Sequence, residues 1–129
     1  MALKIGLTSI FVDDQAKAQA FYTEVLGFRT KMDLPMGEAR WLTVVSADAP
    51  DGTQLLLEPN INPTAADFQK AVFEQGIPAA SFESEDVHKE HERLTAAGVE
   101  FTMPPTALGD TTLAMFKDTC GNVVQIYQE

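Results

Sequence analysis

The sequence predicts an α+β fold made of two βαβββ units. Three observations lead there. Short β-branched runs alternate with stretches of helical period. A strand–helix order with the same cap chemistry occurs twice, offset by 72 residues. The stretch between the two copies carries its own helix start and stop signals.

The first unit opens on residues 4–12, which are β-branched, partly alternating and read as a strand. Asp13 and Asp14 then supply an N-cap. Over residues 15–26, Ala18, Phe21, Tyr22, Val25 and Leu26 share one helical stripe and are expected in the core. Gly27 follows, where a helix end needs a positive φ. Residues 40–45 and 54–57 read as strands around a Pro50-Asp51-Gly52 turn, and residues 30–38 read as a loop.

Asn62 caps a linking helix with Pro63 at its first position. Phe68, Ala71 and Val72 form its apolar stripe, Phe68 and Phe73 are expected in the core, and Gly76 ends it. Residues 79–84 form a strand. Asp86 caps a helix bearing Val87, His91 and Leu94, closed by Gly98. Residues 99–102 extend until Pro104-Pro105 interrupts them, and residues 104–110 read as a loop. Residues 111–116 and 123–127 pair as a hairpin through Asp118-Thr119-Cys120-Gly121-Asn122.

Spacing supports the duplication. Asp14 to Gly27 spans 13 residues and Asp86 to Gly98 spans 12. A shift of 72 takes Leu7 to Ala79 and Asp14 to Asp86. Neither unit could bury its own sheet face, so the two must pack together. The expected organisation is one domain over residues 1–129, with units at about 1–60 and 77–129 and a linking helix at about 62–75.

Composition bounds the function. A chain of 129 residues with 45% hydrophobic content buries roughly two-thirds of its unfolded surface and needs no disulfide staple. Nine basic against 19 acidic residues give a net charge of −10. Duplexes and anionic membranes would repel it, so no nucleic-acid or membrane partner is expected. The single cysteine, Cys120, excludes an intrachain disulfide and a cysteine-based zinc cluster. The opening residues lack a signal peptide's apolar core, and a cytoplasmic location is expected.

Residues 10–28, with Phe21-Tyr22 followed by Leu26-Gly27-Phe28, resemble the opening of the glyoxalase, bleomycin-resistance and extradiol dioxygenase superfamily, the vicinal oxygen chelate (VOC) proteins. Residues 55–59, 80–87 with 96–101, and 116–122 match in the same order. The resemblance implies a curved mixed sheet forming a half-barrel cleft, and a homodimer. It also implies four metal-ligand positions, which fall on Leu7, Leu55, Ala79 and Gln125. Three of these carry no donor, and one neutral amide cannot desolvate a divalent ion. No metal or other cofactor is therefore expected.

By the parity of those positions, Leu7, Ser9, Leu55, Leu57, Ala79, Ser81, Gln125 and Tyr127 should face a ligand cleft. Arg40 or Trp41 flanks it, depending on register, and Trp41 would stack on a planar ligand. Glu58 is the one carboxylate near a ligand position; in this register it faces solvent, and a slip of one residue would turn it inward. His88 and His91, three apart on a helix, do not form a zinc pattern. Cys120 has no basic neighbour closer than Lys117 and reads as inert.

Three functions follow. The first is a metal-free small-molecule-binding protein that sequesters or senses an organic ligand in an apolar cleft. Hydrogen bonds from Ser9, Ser81, Gln125 and Tyr127 would orient that ligand. The second is a glyoxalase-type lyase or isomerase using Glu58 as base or metal ligand. The third is a structural role with a filled core.

Overall fold

Three short acidic or amide side chains start the three helices. Asp14, Asn62 and Asp86 accept first-turn N–H groups from Lys17, Thr64 and Lys89 at 3.0, 2.9 and 3.1 Å. They open α1 (Gln15–Ala20), α2 (Pro63–Glu74) and α3 (Val87–Ala96) in a computed structural model that describes residues 2–129. Met1 lies outside the described residues. α1 does not run on to residue 26 as one regular helix. It widens into a π-helical turn over Phe21–Val25, in which Leu26 N–H reaches the Phe21 carbonyl at 3.0 Å. Both Phe21 and Tyr22, neighbours in sequence, are buried there.

The strands are β1 (Leu7–Val12), β2 (Arg29–Met36), β3 (Ala39–Val45), β4 (Gln54–Pro59), β5 (Pro78–Glu83), β6 (Phe101–Leu108), β7 (Thr111–Lys117) and β8 (Val123–Gln128). They form two four-stranded mixed sheets of matching order, β1-β4-β3-β2 and β5-β8-β7-β6. In each, the first strand runs parallel to the last and the other pairs are antiparallel. This is the α+β architecture of two βαβββ units.

β2 and β6 occupy stretches expected to be loops. Both are outer edge strands, where a proline's missing N–H is tolerated. Pro35 sits in β2, and the β6 register shifts between Met103 and Thr106, across Pro104 and Pro105. β2 is mostly exposed, so no buried face imprints an alternation on it. The linking helix also differs from expectation. Phe68 is 64% exposed, and the buried residue of α2 is Gln69. Phe73 is half-buried, with the Lys117 ammonium 5.9 Å from its ring centroid.

Both units share one apolar core. Ile10, Val12, Leu42, Val44 and Leu57 of the first sheet join Ala114, Phe116, Val124 and Ile126 of the second, together with Ala18, Val87 and Leu94 from the helices. Aromatic rings bridge the units. Phe21 lies 6.3 Å from Phe116, and Phe28 meets Phe82 edge-on at 5.0 Å. Such pairs contribute about 0.5–1.5 kcal/mol each beyond area burial.

A buried polar cluster closes the seam at the end of β1. Asp118, fully buried, accepts from Tyr22 Oη at 2.7 Å, from the Cys120 and Asn122 backbone N–H groups at 2.8 and 3.0 Å, and from Asn122 Nδ2 at 2.8 Å. Asp13 N–H reaches across to the Cys120 carbonyl at 3.1 Å. Tyr22→Phe should therefore lower unfolding free energy by about 1.5–3 kcal/mol, the typical weight of a hydrogen bond to a charged group. Urea denaturation checks this; a loss below about 0.5 kcal/mol would mean that the Tyr22 hydroxyl does not hold the units together.

Candidate ligand-binding site

β1 and β5 are the inner edges of the two sheets, and each pairs only within its own sheet. Beyond the polar cluster the gap between them opens into a cleft of about 830 Å³. Thr8, Ser9 and Ile10 line one side and Ala79, Ser81 and Glu83 the other, with Val44 and Leu55 behind. Phe28 and Phe82, already packed on one another, supply an aromatic wall. Among the described residues, the charged ones lining the cleft are Asp48, Glu83, Glu85 and Glu129, all acidic. A concave, partly low-dielectric space with one sign of charge concentrates cations. A second hollow of about 480 Å³ shares Phe28, Phe82, Glu83, Ser84 and Glu85 and runs on toward Lys89 and Arg93 of α3.

Ser9, Leu55, Ala79 and Ser81 all line this space, but Leu55, like Leu57, packs in the shared core on the Ile10 face of the first sheet and not on the face of Ser9. Gln125 does not line that cleft; its Nε2 donates to Ser81 Oγ at 3.0 Å. Tyr127 lies opposite Glu83 in β5 and Leu113 in β7, away from the cleft wall. Leu7 stands 43% exposed at the start of β1. Leu57 is the clear correction: it is 0% exposed and packed in the shared core, out of reach of any ligand.

The reason is register. β1 and β4 pair Ser9 with Leu56, Ile10 with Leu57 and Phe11 with Glu58. Ile10 and Leu57 face the core together, so Leu56 and Glu58 share the opposite face with Ser9 and Phe11. Glu58, half-buried, is therefore on the sheet face expected of it only after a slip of one residue. The run Leu55-Leu56-Leu57 has no polar alternation, so its parity was not readable. Arg40 turns toward α1, pairing with Asp33 at 2.7 Å and donating to Gln19; it holds the Asp33 carboxyl below its ordinary range. Trp41 takes the opposite face, across from Leu34.

The divalent cation implied by the resemblance does not fit these residues. Leu7, Leu55 and Ala79 have no donor atom, and Gln125 offers one neutral amide oxygen. Among the described residues, no three His, Cys, Asp or Glu side chains gather in a metal-holding group. His91 packs edge-on against Phe101 at 4.5 Å. Phe28, Phe82, Glu83, Glu85, Asp48 and Glu129 were not singled out from the sequence. Glu83 and Glu85 carried one faint signal, an acidic alternation at the end of β5.

The family model of the Glyoxalase/Bleomycin resistance protein/Dioxygenase superfamily matches residues 4–126. The chain belongs to this superfamily. YurT of Bacillus subtilis (strain 168) is 54% identical over 127 residues, which is 98% of this chain and 100% of YurT. Among solved structures, UcmS2 superposes with a TM-score of 0.85 at 34% identity over 98% of each chain. TnmS3, an antibiotic binding protein from Streptomyces sp. CB03234, superposes with a TM-score of 0.79 at 32% identity, over 99% of this chain and 98% of its own. No helix among the described residues of this superfamily member is long and apolar enough to cross a membrane.

The seam chemistry makes stability depend on pH. Burial, then the nearby Asp118 carboxylate, pushes the Cys120 thiol from 9.0 to about 12. Burial, then Asp118, also holds the Tyr22 phenol well above its ordinary value. Both groups are neutral in the fold, so their stabilisation is complete below the unfolded thiol pKa and fades as pH rises from about 9 toward 12. Unfolding free energy from urea titrations should fall between pH 8 and 11, and fall less steeply in Cys120→Ala. Identical slopes for the two proteins would contradict this assignment.

Proposed function

We propose that this protein binds a small organic cation in the cleft between its units and sequesters or senses it, using no metal. One observation carries the reading: a cleft of about 830 Å³ whose largely polar lining, with Ser9 and Ser81 in it, holds an aromatic patch of Phe28 and Phe82 and, among the described residues, only acidic charges. A flat apolar body packs against Phe28 and Phe82, and the positive group meets Glu83 and Glu85. Ser9 and Ser81 orient the ligand, Ser81 being held by Gln125. The antibiotic-binding description of TnmS3 supports a sequestering role.

A homodimer is part of this reading. Leu7, Leu34, Met36 and Leu108 are large, apolar and exposed on strands. Leu34 lies across from Trp41 on an open sheet face. A second copy covering such faces removes this surface from water. The alternative, a lyase or isomerase with Glu58 as base, is favoured by one observation, the register that sets Glu58 on the face of Ser9. Stoichiometric nickel or zinc in the purified protein would support that alternative.

The test compares a planar cation with an anion. Ethidium should bind saturably at micromolar concentration, with fluorescence rising on enclosure, and 8-anilinonaphthalene-1-sulfonate should bind at least tenfold more weakly. Glu83→Gln with Glu85→Gln should weaken ethidium about tenfold, since each lost opposite charge removes roughly 0.5–1 kcal/mol at a partly exposed site. Equal binding of the two dyes, or an unaffected double variant, would contradict the cation reading.

A further inference from the structure

We propose that Gln69, on the linking helix, is the positioning residue that sets the width of the inter-unit cleft. It is buried on a helix whose phenylalanine, Phe68, is left exposed. A polar residue takes the buried place where an apolar stripe was expected, and its partners explain why. Gln69 Nε2 donates to the Phe11 carbonyl at 3.0 Å, at the end of β1 in the first unit. The same nitrogen donates to the Cys120 carbonyl at 3.1 Å and to Asn122 Oδ1 at 3.2 Å, both in the second unit. Gln69 Oε1 accepts from Asn60 Nδ2 at 2.7 Å, which fixes the direction of the amide.

One side chain therefore spans both units and is itself anchored to the chain that links them. Asn122 Nδ2 reinforces the crossing by donating to the same Phe11 carbonyl at 2.8 Å. Gly121 leaves room for it: a Cβ there would lie 2.7 Å from Gln69 Nε2. A primary amide has two protons, and here they are shared among three acceptors that belong to both units, so one planar group fixes the separation of the Phe11 and Cys120 carbonyls.

The clasp lies at one end of the gap and the cleft at the other. Phe11 is clasped, and Thr8, Ser9 and Ile10 immediately before it line the cleft. Asn122 is clasped, the following Val123 pairs with Pro78, and residues 79–85 line the cleft. No ladder joins β1 to β5 among the described residues, so the spacing of the two walls is inherited from the clasped end. A small change of angle there is magnified along the strands.

This assignment rests on the ligand-binding reading for its consequence and is independent of it for its geometry. The test uses nitroxide labels on Asp51→Cys and Lys89→Cys, one on each unit, in full-length protein. Cys120 is fully buried and stays unlabelled. Pulsed electron–electron resonance should give one narrow distance in the parent. It should give a broader, longer distribution in Gln69→Met and in the milder Asn60→Ala. Val99→Ala, which removes core volume and takes part in none of the clasp hydrogen bonds, should keep the parental distribution. Ethidium affinity should fall at least fivefold in Gln69→Met and stay within twofold in Val99→Ala. An unchanged distribution in both clasp variants, or the same broadening in Val99→Ala, overturns the assignment. If the parent binds no ethidium, the ligand reading fails and the distances still decide whether Gln69 sets the width.

Discussion

The structure depends on one buried carboxylate. Asp118 is fully enclosed, and an unpaired charge in such a place would be strongly destabilising. Its four donors make it tolerable, and their origins matter more than their number. Three come from its own turn, through Cys120 and Asn122, and shape the hairpin between β7 and β8. The fourth is the Tyr22 hydroxyl, 96 residues away in sequence. The turn is satisfied only when the first unit is in place, so a local need becomes a long-range constraint. The π-helical turn serves the same end, because Phe21 and Tyr22 must both face inward, one toward Phe116 and the other toward Asp118.

That constraint acts at one end of the seam, and the proposed ligand site lies at the other. Had β1 and β5 paired along their lengths, the two sheets would be one and no inter-unit space would exist. Instead the backbones part beyond Phe11, and residues of both inner edges face a gap. The cleft expected to be apolar is largely polar, lined by Thr8, Ser9, Gln54, Ser81, Ser84 and Gln128 among others; Phe28 and Phe82 supply an aromatic patch and exposed acids stand at the rim. In the proposed reading the aromatic patch gives affinity without demanding one shape, and the acids select by sign of charge. A net charge of −10 adds a weak long-range attraction of the same sign.

The duplication and the helix starts were legible because they rest on local chemistry. Asp14, Asn62 and Asp86 cap helices in place, and the 72-residue offset aligns two real units. β2 and β6 were hidden because edge strands accept proline and exposure, the features that mark loops elsewhere. Part of the cleft lining was legible. Ala79 and Ser81 alternate with the half-buried Ala80 and Phe82, and Ser9 precedes the buried Ile10, so their facing could be read. Leu57 could not be placed, since three consecutive leucines have no parity of their own. Phe68 was misplaced for a different reason: the stripe rule assumes that a helix packs on apolar surface, and α2 turns Gln69 onto the carbonyls of a seam.

A crystal structure of the protein grown with ethidium tests the central claim most directly. The account places the ring system against Phe28 and Phe82 with its charge toward Glu83 and Glu85, the polar cluster around Asp118 unchanged. Density for the dye on the open sheet face of Trp41, Leu56 and Glu58, with the inter-unit cleft vacant, would contradict it.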